Sequence, residues 1–290
     1  MPAYPLAFSF DIEDWHHSEL LPAHERTLAR GSVVVAGTTR ILDALRRHRV
    51  RGTFFVLGDV VRDHPELVRQ IVDEGHELAC HGVDHQPLWK LDADSFAAQL
   101  VEFRRRVEAV LGRFPVLGYR APSFSLDQGT AWALDVLRDH GYAYDSSIFP
   151  ARVRMYGVPG APTSIYRPRR DDVSRGDEAT RQPIVEFPVA VGGWGVFRLP
   201  VAGGFYLRTL PTRLLQTVLG RLRRRRPVAL YLHPRECAPE AFRIRLPPVD
   251  AFITYVNLRS VPAKLEALLA RHGSVTMRDA LVAGGWLGAR

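Results

Sequence analysis

The sequence predicts an α/β fold built on a parallel sheet or barrel. Three features point there. Short apolar runs alternate with amphipathic helical stretches, several runs are apolar throughout as strands buried on both faces are, and clusters of polar residues follow them directly. At 290 residues the chain has enough length for one large domain or two small ones, and either can bury a core.

Taken in order, residues 6–10 read as a strand and residues 39–48 as a helix. Residues 52–58, bounded by Gly52 and Gly58, form a second apolar strand. A helix then opens with Asp63 or His64 as N-cap and Pro65 in its first position, and Gly75 lies just past its end. Residues 77–80 make a short strand and residues 94–111 a long helix ended by Gly112. Residues 116–120 are a strand, 127–140 a helix stopped by Gly141, and 142–149 an extended run. Residues 150–183, rich in proline, glycine and charge, break this rhythm and read as a long loop or insertion. Strands resume at 184–189 and 227–232, with a helix from Pro211 between them and a last helix over 261–272. Such repeated βα units place function at the carboxyl ends of the strands.

Composition, 46% hydrophobic and 24% charged, is that of an ordinary soluble globular protein. The net charge of +8 rests on arginine, since Lys90 and Lys264 are the only lysines. The run from Arg221 to Arg226 reads as a solvated helix C-terminus, where cations suit the helix dipole; a membrane or polymer contact is the alternative. Nucleic-acid binding has no motif behind it beyond the basic charge. Two cysteines, Cys80 and Cys237, make no disulfide framework. With no signal-peptide pattern and no apolar stretch of membrane-spanning length, a cytoplasmic setting is expected.

Four polar groups sit at strand ends. Asp11-Ile12-Glu13-Asp14-Trp15 places three carboxylates within four residues, which repel unless a cation or proton offsets them. His81-Gly82-Val83-Asp84-His85 sets two imidazoles at i and i+4, one face of a helical turn, with Asp84 available to orient a ring. In Tyr119-Arg120-Ala121-Pro122-Ser123-Phe124, an arginine can pin a carboxylate while the turn exposes N–H groups to an oxyanion. His233, ending the strand Leu230-Tyr231-Leu232, is either a satisfied core histidine or a general acid. Each group alone also has a structural reading: a helix cap, a buried histidine, a surface turn.

In this order the four groups resemble the NodB-type polysaccharide deacetylases of carbohydrate esterase family 4. The likeness extends over the whole chain. Its HGVDH, GYRAPSFS, YDSSIFP and GGFYLR segments, at residues 81–85, 118–125, 144–150 and 203–208, are similar to the exosortase-associated (PEP-CTERM locus) branch, as is the tail from Tyr231 onward. The resemblance implies a distorted (β/α)7-type NodB barrel over residues 1–235 and a C-terminal extension over 236–290 packed on it. It also implies Asp11 as general base, His233 as general acid, Arg120 holding Asp11, and the Ser123 N–H in an oxyanion hole. His81 and His85 would bind one divalent ion, zinc being the family's usual metal, with Glu13 or Asp14 as third ligand, because Ile12 stands where many relatives carry the ligand aspartate. Glu186 is the candidate for the family's further acidic residue near the arginine or the histidine. Trp15, Trp89, Phe124 and Trp194 are candidates for sugar stacking.

The implied activity removes N-acetyl groups from amino sugars of a bacterial polysaccharide, as in exopolysaccharide biosynthesis, or of its lipid-linked precursor. The partner is then an N-acetylated polysaccharide or oligosaccharide, and peripheral membrane association through a lipid-linked substrate is compatible with it. Two rivals are a cyclic-imide or ureide hydrolase of the same fold and a non-catalytic polysaccharide-binding protein.

Overall fold

Residues Leu6–Ile12 (β1) are buried along their whole length, as a strand covered on both faces must be. In the computed structural model, which describes residues 3–17, 33–153, 156–177, 182–194, 197–238, 240 and 246–288, β1 lies near one side of a seven-stranded parallel sheet. The other strands are Thr53–Val56 (β2), Glu77–Cys80 (β3), Gly118–Tyr119 (β4), Tyr144–Asp145 (β5), Val185–Glu186 (β6) and Val228–Leu232 (β9). Between the last two, Val191–Trp194 (β7) and Phe197–Pro200 (β8) pair as a separate antiparallel hairpin. The sheet order is β6-β5-β4-β3-β2-β1-β9. Past β6 the chain crosses to β9, where Val189 pairs with Ala229 and the Ala190 N–H donates to the Ala229 carbonyl. The two edges thus meet, giving the curled, barrel-like sheet expected of the NodB fold.

Helices cover the outside: Val33–His48 (α1), Gly58–Asp63 (α2), Pro65–Asp73 (α3), Ala93–Leu111 (α4) and Ala133–Asp139 (α5). The C-terminal half adds Gly204–Thr209 (α6), Thr212–Leu222 (α7), Pro234–Cys237 (α8), Pro248–Tyr255 (α9), Val261–His272 (α10) and Met277–Ala283 (α11). One apolar cluster fills the space between strands and outer helices, with Phe8, Phe10, Phe54 and Phe103 among its members. A second cluster occupies the barrel interior, where Ala7, Phe55, Ala79, Tyr144, Val185 and Ala229 meet Met277, Ala280 and Leu281 of α11. This last helix closes the end of the barrel away from the strand C-termini. The Met277 N–H donates to Thr53 Oγ1 at 2.8 Å, and the Arg278 N–H donates to Glu77 Oε2 at 3.1 Å. No helix among the described residues is long and apolar enough to cross a membrane.

Several expectations need correction. The strand anticipated over 116–120 and the extended run over 142–149 hold two strand residues each; beyond them the Ala121, Ser147 and Ile148 N–H groups donate to side chains. The helix expected from 127 starts at Ala133. Asp127 Oδ1 accepts the Gly129 N–H at 2.8 Å, the local competition with helix that Asp residues offer. α1 starts six residues earlier than expected. Its β-branched Val33 and Val34 are mediocre helix formers but are buried, and packing overrides propensity. The arginine run is only partly solvated. Arg224 and Arg225 are exposed, whereas Arg223 donates to the Tyr4 and His272 carbonyls and buried Arg226 to the Val191 carbonyl.

Candidate active site

The strands deliver their polar groups to one end of the barrel. Asp11 lies in the last turn of β1 and Glu13 just beyond it; His81, Arg120 and His233 each follow the last residue of β3, β4 and β9. All three carboxylates of the first group, both histidines of the second and Arg120 are buried.

Arg120 is the hub. Its guanidinium lies inside the barrel, 4.0 Å above the Phe55 ring, with no exposure to solvent. Nη1 donates to Asp11 Oδ1 at 2.6 Å and to Ser9 Oγ at 2.9 Å; Nε and Nη2 donate to the Ser146 carbonyl and Oγ at 3.1 and 2.9 Å. A buried arginine with this many partners has its charge and its donors answered. It fixes Asp11 through Oδ1 and leaves Oδ2 facing His233, whose Nε2 is 4.0 Å away.

Glu13, His81 and His85 form a three-donor cluster, their ligand atoms all within 4.8 Å of one another. The His81 Nδ1–H donates to the Arg120 carbonyl at 2.8 Å, which leaves the Nε2 lone pair free for the cluster. Burial lowers the His81 pKa to about 4, so the ring is neutral as a ligand must be. Glu13 Oε2 lies 2.6 Å from His85 Nε2 without the alignment of a hydrogen bond, and this buried oxygen has no other hydrogen-bond partner. Burial would raise the Glu13 carboxyl, yet His85 and His233 outweigh it and hold it well below the usual range. A buried carboxylate oxygen without a partner, facing two imidazoles, fits a divalent ion, and the set of two nitrogens and one oxygen suits zinc-like metals.

The two histidines do not share a helical turn. Residues 81–87 form a bent loop in which Gly82 and His85 are left-handed, with φ of 82° and 63°, and this conformation brings the rings to 5.3 Å. Asp84 orients neither ring; it is exposed and accepts from Gln86 and Gln99. Asp14 lies outside the cluster. Its Oδ1 accepts the Trp15 N–H at 2.8 Å, and burial raises its pKa to about 6. Trp15 is buried against Val33 and Ala238 rather than facing a groove, while Trp89 is exposed; the Trp194 side chain lies outside the described residues.

Ser123 and Phe124 occupy the left-handed region in succession, with φ of 56° and 49°. Such backbone costs on the order of 1–3 kcal/mol per residue and persists only where its surroundings enforce it. Here the Phe124 and Ser125 N–H groups are tied to the Ala121 and Pro122 carbonyls, and the Phe124 ring packs against Phe149, Tyr156 and Tyr231.

His233 introduces a residue that the sequence reading missed. Its N–H donates to Glu236 Oε2 at 3.0 Å, and its Nδ1 lies 3.4 Å from the same oxygen. Burial would lower the His233 pKa, but Glu236 and Glu13 raise it. Buried Glu236 also meets Arg208 Nε at 3.4 Å and fills the space beside Gly204, where a Cβ would come within 1.5 Å of its carboxylate. The signal was the His-Pro-x-Glu spacing, a histidine N-cap with an acid three residues on. Glu186 sits elsewhere, beside Asp145, with Oε1 accepting the Ile148 N–H at 3.2 Å.

Comparison with known proteins gives the following likenesses. The family model described as polysaccharide deacetylase matches residues 27–144, and one described only as a domain of unknown function (DUF3473) matches 146–282. The chain is 30% identical over 162 residues to the peptidoglycan-N-acetylmuramic acid deacetylase PdaA of Bacillus subtilis, covering 49% of this chain and 59% of that protein. It is 38% identical over 100 residues to a chitooligosaccharide deacetylase of Rhizobium leguminosarum bv. trifolii, covering 34% and 43%. The matches therefore span about half the length of these relatives. Among solved structures, a Mycobacterium smegmatis protein assigned as a polysaccharide deacetylase superimposes with a TM-score of 0.62 at 22% identity, over 100% of this chain and 97% of that one. The allantoinase PuuE gives 0.60 at 15% identity over 97% and 91%. These likenesses show that the chain shares one fold with both structures over nearly its whole length.

Proposed function

We propose that the protein is a metal-dependent N-deacetylase acting on acetylated amino sugars of a bacterial polysaccharide or its lipid-linked precursor. The observation that carries this reading is the meeting, on one barrel rim, of the Glu13-His81-His85 cluster with the Arg120-held Asp11 and with His233. The relatives named for peptidoglycan and chitooligosaccharide deacetylation support the substrate class, and the segment likenesses noted above favour the exosortase-associated branch.

An ion held by Glu13, His81 and His85, zinc in this reading, would supply a Lewis acid and lower the pKa of a nearby water. Asp11 is the base. Arg120 holds its Oδ1, so that Oδ2 is turned to take the proton of the attacking water. The Ser123 N–H, set in its strained turn, donates to the oxygen that becomes negative as the acetyl carbon turns tetrahedral. His233, charged with the help of Glu236, gives its Nε2 proton to the departing sugar nitrogen.

The test is acetate release from a panel of N-acetylated oligosaccharides, with and without a chelator. Release that the chelator abolishes and added zinc restores is the expected result. No release from any member, or release indifferent to the chelator, would overturn the proposal.

A further inference from the structure

Beneath the site lies a buried group of side chains that touches neither cluster. Asp145 and Glu186 end β5 and β6 and are directly paired in register, so their side chains stand side by side on one face, and both are fully buried. Asp145 uses both carboxylate oxygens on one residue: Oδ1 accepts the Ser147 hydroxyl and Oδ2 the Ser147 N–H at 3.1 Å. Glu186 Oε1 accepts the Ile148 N–H at 3.2 Å, and its buried Oε2 accepts no hydrogen bond. Two adjacent buried carboxyls cannot both ionise. Asp145 is occupied as an acceptor at both oxygens, so the shared proton belongs on Glu186 Oε2, facing Asp145. Burial raises both carboxyls, Glu186 the more strongly, in keeping with that assignment.

The Ser147 hydroxyl has one hydrogen, and Asp145 takes it. Its lone pairs are thereby turned to the Ala121 N–H, which donates to Ser147 Oγ at 2.7 Å. Ala121 opens the turn that forces Ser123 and Phe124 into the left-handed region. The neighbouring Ser146 accepts from Arg120 twice, and Arg120 holds Asp11. The buried acid pair therefore braces the strained turn through Ser147, next to the Ser146 that holds Arg120.

We propose that Asp145 and Ser147 are positioning residues: with Glu186 carrying the proton, they orient the Ala121–Phe124 turn that follows Arg120. The proposal rests on the deacetylase reading for its kinetic consequence and on hydrogen bonding alone for its structural one.

The experiment reads both on the full chain. Ser147→Ala should lower kcat about 10-fold or more, the scale of a small misplacement of catalytic groups, with KM and bound zinc near the parent's. Hydrogen–deuterium exchange at the Ala121 amide should quicken in the same variant. Glu186→Gln, which keeps an acceptor for Ile148 and a donor for Asp145, should retain turnover, and Glu186→Ala should lose it. Should Ser147→Ala fail to fold, Ser147→Cys keeps the volume but accepts hydrogen bonds poorly, and the same fall is expected. Unchanged kcat and unchanged exchange in the serine variant would overturn the proposal, as would a glutamine variant as slow as the alanine one. If the parent releases no acetate, the deacetylase reading falls by itself. The exchange rates then decide: faster exchange in the serine variant upholds the positioning role, and unchanged exchange ends it.

Discussion

Replacing Glu236 by Gln perturbs stability and chemistry together, and both effects can be sized. The folded protein holds this buried carboxyl at about 2 against an ordinary 4.5; burial alone would raise it, but His233 and Arg208 overcome that cost. At ~1.4 kcal/mol per pKa unit the difference is about 3 kcal/mol favouring the folded state. Because the folded pKa is the lower one, this contribution is complete above pH 4.5 and fades as pH falls toward 2. The Gln variant should therefore unfold about 3 kcal/mol more easily in urea at pH 7, with the gap to the parent closing near pH 2. The same change removes a charge that raises the His233 pKa, so the alkaline limb of the kcat profile should move to lower pH. Equal urea midpoints at pH 7, or an unmoved alkaline limb, would refute the assignment of Glu236 as the carboxylate that charges His233.

Other outcomes follow from the same geometry. Elemental analysis should find one divalent ion per chain, lost in His81→Ala; Glu13→Gln should weaken zinc binding in a titration far more than Asp14→Asn, since Asp14 faces its own helical turn. Asp11→Asn should keep the ion but lose turnover by roughly 10²-fold or more, the scale of a missing general base, as paired metal and acetate measurements on one preparation would show. In Gly37→Ala the new Cβ would stand 2.0 Å from the Pro234 carbonyl oxygen, backbone that cannot step aside without moving His233. It should cost on the order of 1–3 kcal/mol in thermal unfolding and slow turnover as well.

The strands that carry β-branched and aromatic runs, β2 and β9, were legible from the sequence because burial on both faces leaves a largely apolar signature. The polar residues at the strand ends were ambiguous one by one, and only their recurrence at several strand ends marked them. β4, β5 and β6 carry two residues each and leave almost no periodicity to read. The His81–His85 spacing suggested a helical turn because spacing encodes separation and not backbone conformation. Gly82 was the available clue, a residue free to take the left-handed φ that the loop demands. The choice between Glu13 and Asp14 could not be read from adjacency, because a turn after β1 sends the two carboxylates to different neighbours. Glu236 was hidden for a different reason: an acid one turn into a short helix has the same appearance whether it caps a backbone or charges an imidazole.

The helix that stoppers the barrel has a consequence for how this protein could be inherited. The two family matches meet near residue 145, yet β6, β9 and the closing helix all lie beyond that point. A polypeptide ending there would present Ala7, Phe55 and Ala79 to water through an open floor and would leave β1 with a bare edge. Recombination could not trade the front half for a relative's and keep the back half, unless the newcomer's Thr53 and Glu77 equivalents still accepted the two amides of the helix that arrives last. Those contacts tie the two halves into one packed unit.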